Sequence, residues 1–194
     1  MTQAWLISAV CVALFAIHNW VLWGHRVKMG SDPSDRPQDS LFSRRRQTLA
    51  FTAMFFVQAS IMVQRILVAF QEPPAWNFAV GVVVFLIGLA LRLWAVHLLG
   101  RFFTFEIGIR PEHRIIEVGP YRLIRHPSYT GYLLMLAGMS VAYDSLIFFI
   151  LIFLPVATFL MVRLHQEEKM LRAHFGPAYS EYMKRTKRLV PFIY

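Results

Sequence analysis

Apolar and polar residues in this chain segregate into long blocks instead of alternating. Predominantly apolar runs extend from about Ala4 to Trp23, from about Gln47 to Phe70, and from about Trp76 to Leu99. Two more, Ser128 to Tyr143 and Leu146 to about Leu164, are separated only by a turn at Asp144-Ser145. A bilayer's hydrocarbon core is about 30 Å thick and a helix rises about 1.5 Å per residue, so runs of roughly 18 residues or more read as spanning helices. The pattern predicts an all-α integral membrane protein of about five transmembrane helices, the last two forming a helical hairpin. Pro73-Pro74 stops the second span and Gly100 ends the third. Ser128–Tyr143 is short, at roughly 24 Å of helix. The hairpin is therefore expected to start below the headgroup level, which puts His126 near the apolar boundary.

Orientation follows from the connections. The loop after the first span holds Arg26, Lys28, Arg36, Arg44, Arg45 and Arg46, whereas QEPPAW after the second holds no cation. Arg101 to Arg125 is mostly polar and holds five arginines, and the last run is followed by Lys169, Arg172, Lys184, Arg185, Lys187 and Arg188. Lys and Arg collect in cytoplasmic loops. The N-terminus is thus expected outside, and the C-terminus, with all the informative polar segments, in the cytoplasm. Residues 1–194 read as a single membrane domain, with a two-helix part over 1–75 and a core over 76–194.

Composition agrees, with 57% hydrophobic and 16% charged residues. The formal charge of +9 fits cytoplasmic loops facing anionic headgroups. With no recognition motif beside the charge, no nucleic-acid partner is expected. The single cysteine, Cys11, lies in an apolar run and allows neither an intrachain disulfide nor a Cys-rich metal site. The first run lacks a basic leader and a small-residue cleavage site, so it reads as a retained anchor.

Candidate chemistry sits at two boundaries. In PYRLIRHPSYTGY, Pro120 to Tyr132, the proline after His126 disfavours a helical His126 and suits the first helical position. The helix then begins with free N–H groups at Ser128 and Tyr129, an end that favours an anion such as a carboxylate. Nearby tyrosine rings suit a ligand cation. In FLMVRLHQEEKMLRAHF the helix is expected to continue out of the bilayer, with Arg163 and Glu167 four apart on one face. Gly176-Pro177 breaks it, and Tyr179 and Tyr182 on the next turn can fold back over the site. Anion-binding amides, aromatic faces and a carboxylate suit a zwitterionic ligand with extra positive charge. S-adenosylmethionine (SAM) is one such ligand, and a phosphatidylethanolamine headgroup another. Arg92, inside the third span, either snorkels to the cytoplasmic face or helps bind a carboxylate. Gly131 and Gly138, like Gly81 and Gly88, lie two turns apart on one face, a spacing that lets membrane helices approach closely. No G-x-G-x-x-G, P-loop, H-E-x-x-H or G-x-S-x-G occurs, and the seven scattered histidines have no metal-ligand spacing, so no metal is expected.

GPYRLIRHPSYTGY, followed by R-x-x-x-E-E and FGPAYSEYMKRTKRLVPFI, resembles the isoprenylcysteine carboxyl methyltransferase family, within a wider group that includes phospholipid methyltransferases. The resemblance covers about Arg92 to Ile193. It implies a membrane enzyme that uses SAM without a Rossmann fold, with a cytoplasmic cofactor site built from the final hairpin, the segments beside it and a C-terminal helix. By position it implies that His113, Arg114, Ile115, Ile116 and Tyr121 line the cofactor. His126, Pro127, Ser128 and Tyr129 would hold it at the helix start, and Glu167 would bind it. Arg163 would meet the substrate carboxylate, and the catalytic set would be Arg163, Glu167 and Glu168. Glu106 stands where the family tends to carry an amide, although a carboxylate can still accept from the cofactor's ammonium.

The expected activity is SAM-dependent methyl transfer to a lipophilic acceptor drawn from the bilayer, foremost the carboxylate of a prenylated cysteine. The alternatives are phospholipid N-methylation, small-thiol S-methylation, an NADPH-dependent sterol-type reductase and a non-enzymatic membrane protein. An amine acceptor would have to lose a proton, with Glu168 or a histidine as the candidate base. Membrane lipids are the other expected partners. The expected location is the inner membrane in a prokaryote or the endoplasmic reticulum in a eukaryote.

Overall fold

The structure, a computed structural model, describes Ala13 and residues 74–103, 108–109 and 112–193. The first two predicted spans and Glu106 lie outside the described residues. Every regular element among the described residues is helical, apart from an isolated parallel bridge between Ile124 and Lys187.

Helix α1, Ala75–Leu99, coincides with the third predicted span. Gly100 ends it at φ 51°, a left-handed conformation that glycine adopts without a side-chain penalty, and donates its N–H to the Val96 carbonyl. Helix α2, Pro127–Ala142, begins at the proline that the sequence singles out. After a three-residue connection, Tyr143 to Ser145, comes α3, Leu146–Phe148, where the Ser145 hydroxyl accepts from the Phe148 N–H at 3.1 Å. The chain continues through a π-helical turn, Phe149–Phe153, into α4, Leu154–Phe175. The widened turn lies just before Pro155, which lacks an N–H and whose ring crowds the carbonyl four residues back. Gly176, at φ 56°, separates α4 from α5, Pro177–Arg185.

Helices α1 and α2 pack antiparallel through their glycines. A Cβ on Gly88 would lie 2.6 Å from the Gly131 carbonyl oxygen, and one on Gly131 would lie 2.6 Å from that of Gly88. Gly138 sits equally close to Gly81 and Phe85, and Gly81 to Ala142. Small-residue spacing thus brings two backbones into contact where no hydrophobic force acts between membrane helices. Phe85, Tyr132, Met135, Leu136, Met139, Phe148, Ile152 and Leu160 form the core of the bundle. The outer face of α1 instead exposes Val80, Val83, Leu86, Ile87 and Trp94, a surface suited to lipid. Among the described residues, two helical stretches are long and apolar enough to cross a membrane, Ala75–Phe102 and Phe149–Phe175.

Candidate functional site

One end of the bundle, where α1 finishes, α2 begins and α4 leaves its apolar part, encloses a cavity of about 110 Å³. A single ordered water needs only about 10–15 Å³ by the same measure, so the space is on the scale of a multi-atom ligand. Nine of the sequence-predicted residues line it: His113, Arg114, Ile115, Ile116, Tyr121, His126, Ser128, Tyr129 and Glu167. Pro127 is fully buried behind this wall as the first residue of α2. Tyr179 and Tyr182 also line the cavity, so α5 does fold back across it after the break at Gly176.

Along α4, Glu167, Met170, Leu171 and Phe175 face the cavity. Their spacing of three and four is one helical face, continued upward by Arg163. The Tyr129 hydroxyl joins the two charged residues of that face. It donates to Glu167 Oε2 at 2.5 Å and accepts from Arg163 Nε at 2.8 Å. Arg163 does not line the cavity but stands beside it, on the far side of the phenol.

Glu168 is rotated by about 100° from Glu167 and faces elsewhere. It is 3% exposed and does not line the cavity. Arg125 Nε donates to its Oε1 at 2.8 Å and Arg188 Nε to its Oε2 at 3.1 Å, while His126 Nε2 lies 3.6 Å from Oε1. The second guanidinium arm of Arg125 reaches the carbonyls of Thr186 and Met183 at 2.5 and 3.2 Å. Glu168 is therefore the centre of a clasp between the HPSY segment and the tail.

Arg92 is buried and turned inward, and its Nη1 donates to the Ser128 carbonyl at 2.9 Å and the Ser128 hydroxyl at 3.1 Å. Its guanidinium also lies over the Tyr132 ring, 4.8 Å from the centroid. Of the two uses the sequence left open, snorkelling to the surface is not what the side chain does: it fixes the start of α2. The expected free amides there are fewer than the sequence implies. The N–H groups of Tyr129 and Thr130 both donate to the His126 carbonyl, at 3.0 and 3.1 Å. Positive character at this end comes from Arg92 as well as from the helix.

The rest of the wall is aromatic. Phe102 stacks on His113 with centroids 5.0 Å apart, and Phe175 meets His113 edge-on at 5.6 Å. The Tyr182 hydroxyl donates to the Tyr121 carbonyl at 2.8 Å, and the Tyr121 hydroxyl donates to the Ala95 carbonyl at 3.3 Å. Burial pushes the phenols of Tyr121, Tyr179 and Tyr182 above their ordinary range, so all three stay neutral. Sequence motifs alone miss Phe102, Met170, Leu171 and Phe175. The last three carry a readable signal, the helical repeat running on from Glu167, whereas Phe102 sits in the short turn Gly100–Phe102 after α1 and has none.

Among the described residues the lining combines one carboxylate, Glu167, and the guanidinium groups of Arg114 and Arg125 with phenols and ring faces, a mixture that suits a zwitterionic ligand carrying a flat ring and a cationic centre. SAM has those features, and Glu167 is the lining residue that can meet its cationic part.

A model of the isoprenylcysteine carboxyl methyltransferase (ICMT) family matches residues 79–173. A probable protein-S-isoprenylcysteine O-methyltransferase from Oryza sativa subsp. indica is 35% identical over 145 residues, covering 73% of this chain and 75% of the rice protein. Protein-S-isoprenylcysteine O-methyltransferase B of Arabidopsis thaliana is 36% identical over 120 residues, 61% of each chain. The solved structure of a eukaryotic intramembrane Ras methyltransferase, ICMT, superposes with a TM-score of 0.56 at 28% identity, over 61% of this chain and 43% of that one.

Proposed function

The chain belongs to the isoprenylcysteine carboxyl methyltransferase family, and from that premise we propose that it moves a methyl group from SAM to the carboxylate of a prenylated cysteine at the cavity beside Tyr129. Bound SAM supplies a methyl group on a sulfonium. Glu167, the phenols and the Phe102–His113–Phe175 wall hold the donor, and Arg163 holds the acceptor. The orientation we propose puts the cavity on the cytoplasmic side, with the N-terminus outside.

The observation that carries this reading is the Arg163–Tyr129–Glu167 chain, with bonds of 2.8 and 2.5 Å. One phenol orients both the residue assigned to the donor and the residue assigned to the acceptor. The two ligands are thereby brought side by side, and positioning of that kind supplies much of the rate of a displacement reaction. A carboxylate acceptor is already ionised near neutral pH and requires no base, and a guanidinium can grip it with two hydrogen bonds.

The same geometry removes one of the two bases an amine acceptor could use, leaving the histidines of the cavity wall, His113 and His126. Glu168 has each oxygen held by an arginine. Its proton affinity is engaged in ion pairing, and it does not face the cavity. Thiol methylation is the second reading, because a thiol is ionised more readily than an ammonium.

The deciding experiment is incubation of the reconstituted protein with tritiated SAM and a panel of farnesylcysteine, phosphatidylethanolamine and simple thiols. Label in a base-labile ester of farnesylcysteine is the expected result. Label in phosphatidylethanolamine or a thiol instead would replace the acceptor, and no label in any member would remove the reading.

A further inference from the structure

The tail that follows α5 runs along the first turns of α2. The Lys187 N–H donates to the Leu123 carbonyl at 3.0 Å, and the Lys187 carbonyl accepts from the Arg125 N–H at 2.7 Å. The Arg188 carbonyl accepts from the His126 N–H at 3.0 Å. One residue further, the Leu189 carbonyl accepts from the Thr130 hydroxyl at 2.8 Å. The pairing of Ile124 with Lys187 is parallel, so each successive tail residue lies further along α2, in the direction of its buried apolar turns.

The next residues are apolar and uncovered. Val190, Phe192 and Ile193 are 44%, 85% and 78% exposed. They form a tight turn in which the Ile193 N–H donates to the Val190 carbonyl at 3.2 Å, with Phe192 at φ 67°. A bulky residue in the left-handed region is uncommon. Leu123, next to the tail, is a further exposed apolar side chain. Behind this tip, Arg122, Lys184, Arg185 and Lys187 are all exposed. Glu181 pairs with Lys184 and Glu117 with Arg185, leaving the group with an excess of positive charge.

An apolar tip that advances along a membrane hairpin, with cations on its trailing side, has the layout of an interfacial anchor: apolar groups below the headgroups and cations among the lipid phosphates. We propose that Phe192 and Ile193 dock into the protein's own bilayer, in the leaflet on the cavity side. This rests on the membrane setting of the family and not on the choice of methyl donor or acceptor. It gives α5 a second fixed point. The helix carrying Tyr179 and Tyr182 over the cavity is held on one side by the Glu168 clasp and on the other by lipid.

The test uses the full chain in nanodiscs containing phosphatidylcholine and phosphatidylglycerol. Cys11→Ala supplies a cysteine-free background, into which Phe192→Cys, Ile193→Cys and, as a reference, Lys184→Cys are introduced singly and spin-labelled. Relaxation by oxygen, which concentrates in lipid, is compared with relaxation by a water-soluble nickel chelate. The oxygen-to-nickel ratio is expected to be several-fold higher at 192 and 193 than at 184. Equal ratios would put the tail in water and overturn the proposal. Protection from both agents would put it against protein, which overturns it equally. The readout is depth, not turnover, so it fails separately from the methyl-transfer reading.

Discussion

Arg125 and Glu168, 43 residues apart, form an ion pair at 2.8 Å in which both side chains are less than a tenth exposed. It joins the segment that opens α2 to the helix that carries Glu167. Two adjacent glutamates thus have different roles: Glu167 faces the cavity, and Glu168 ties the surrounding segments together through Arg125 and Arg188.

Removing one partner of a buried pair leaves an uncompensated charge, a loss of about 3–5 kcal/mol in other proteins. Glu168→Ala is expected to destabilise the fold by that order, seen as a large drop in thermal midpoint in detergent. Glu168→Gln keeps the shape and part of the hydrogen bonding, and is expected to fall between the two while weakening SAM binding more than the rate at saturation. If Glu168→Ala were as stable as the parent and inactive at saturating substrate, Glu168 would be a catalytic group and the clasp assignment wrong.

The glycine contact between α1 and α2 makes a second prediction. A side chain at Gly131 would meet the Gly88 carbonyl at 2.6 Å and the Arg92 amide at 2.8 Å. Both are helix backbone and cannot rotate aside. Gly131→Val should therefore cost at least the ~1–3 kcal/mol typical of overpacking, and it displaces Arg92 from Ser128. Loss of the monodisperse peak in size-exclusion chromatography is expected, whereas Ala137→Val, at a half-buried position of the same helix, should leave it intact.

Much of the described architecture was legible because membrane helices declare themselves by apolar length, and the bounds of α1 and α2 lie within a residue of those read from the sequence. The cavity wall was legible where a motif marks it, as at His126, Ser128, Tyr129 and Glu167. What was not legible are the partnerships. Nothing in R-x-x-x-E-E says that its second glutamate turns toward Arg125 and Arg188, because that depends on where the tail returns after Gly176. Arg92 was ambiguous for a similar reason: whether an intramembrane arginine snorkels depends on what the neighbouring helix offers, here the Ser128 carbonyl and hydroxyl.

Tyr129→Phe deletes the hydroxyl shared by Arg163 and Glu167 and little else. Hydrogen bonds to charged groups contribute about 1.5–3 kcal/mol each, so kcat/KM is expected to fall by roughly tenfold to a hundredfold. The stacking of the ring on His126, at 5.4 Å between centroids, survives in phenylalanine, so the fold should be unaffected. Steady-state kinetics with each substrate varied in turn would show the loss. Unchanged kinetics would mean that Arg163 and Glu167 are oriented without Tyr129.

Arg163 provides the sharpest separation between donor and acceptor. It is outside the cavity wall, and its Nε donates to the Tyr129 hydroxyl, which holds the guanidinium beside the cavity, where a planar fork suits a carboxylate. Arg163→Ala is therefore expected to abolish transfer from labelled SAM while equilibrium binding of SAM is retained within a few-fold. Arg163→Lys keeps the charge but not the fork, and should recover only part of the activity, with the deficit concentrated in KM for the acceptor. Acceptor carboxamides, which lack the negative charge, should bind the parent and Arg163→Ala proteins equally weakly. Full turnover in Arg163→Ala, or a loss of SAM binding equal to the loss of activity, would move Arg163 out of the acceptor site.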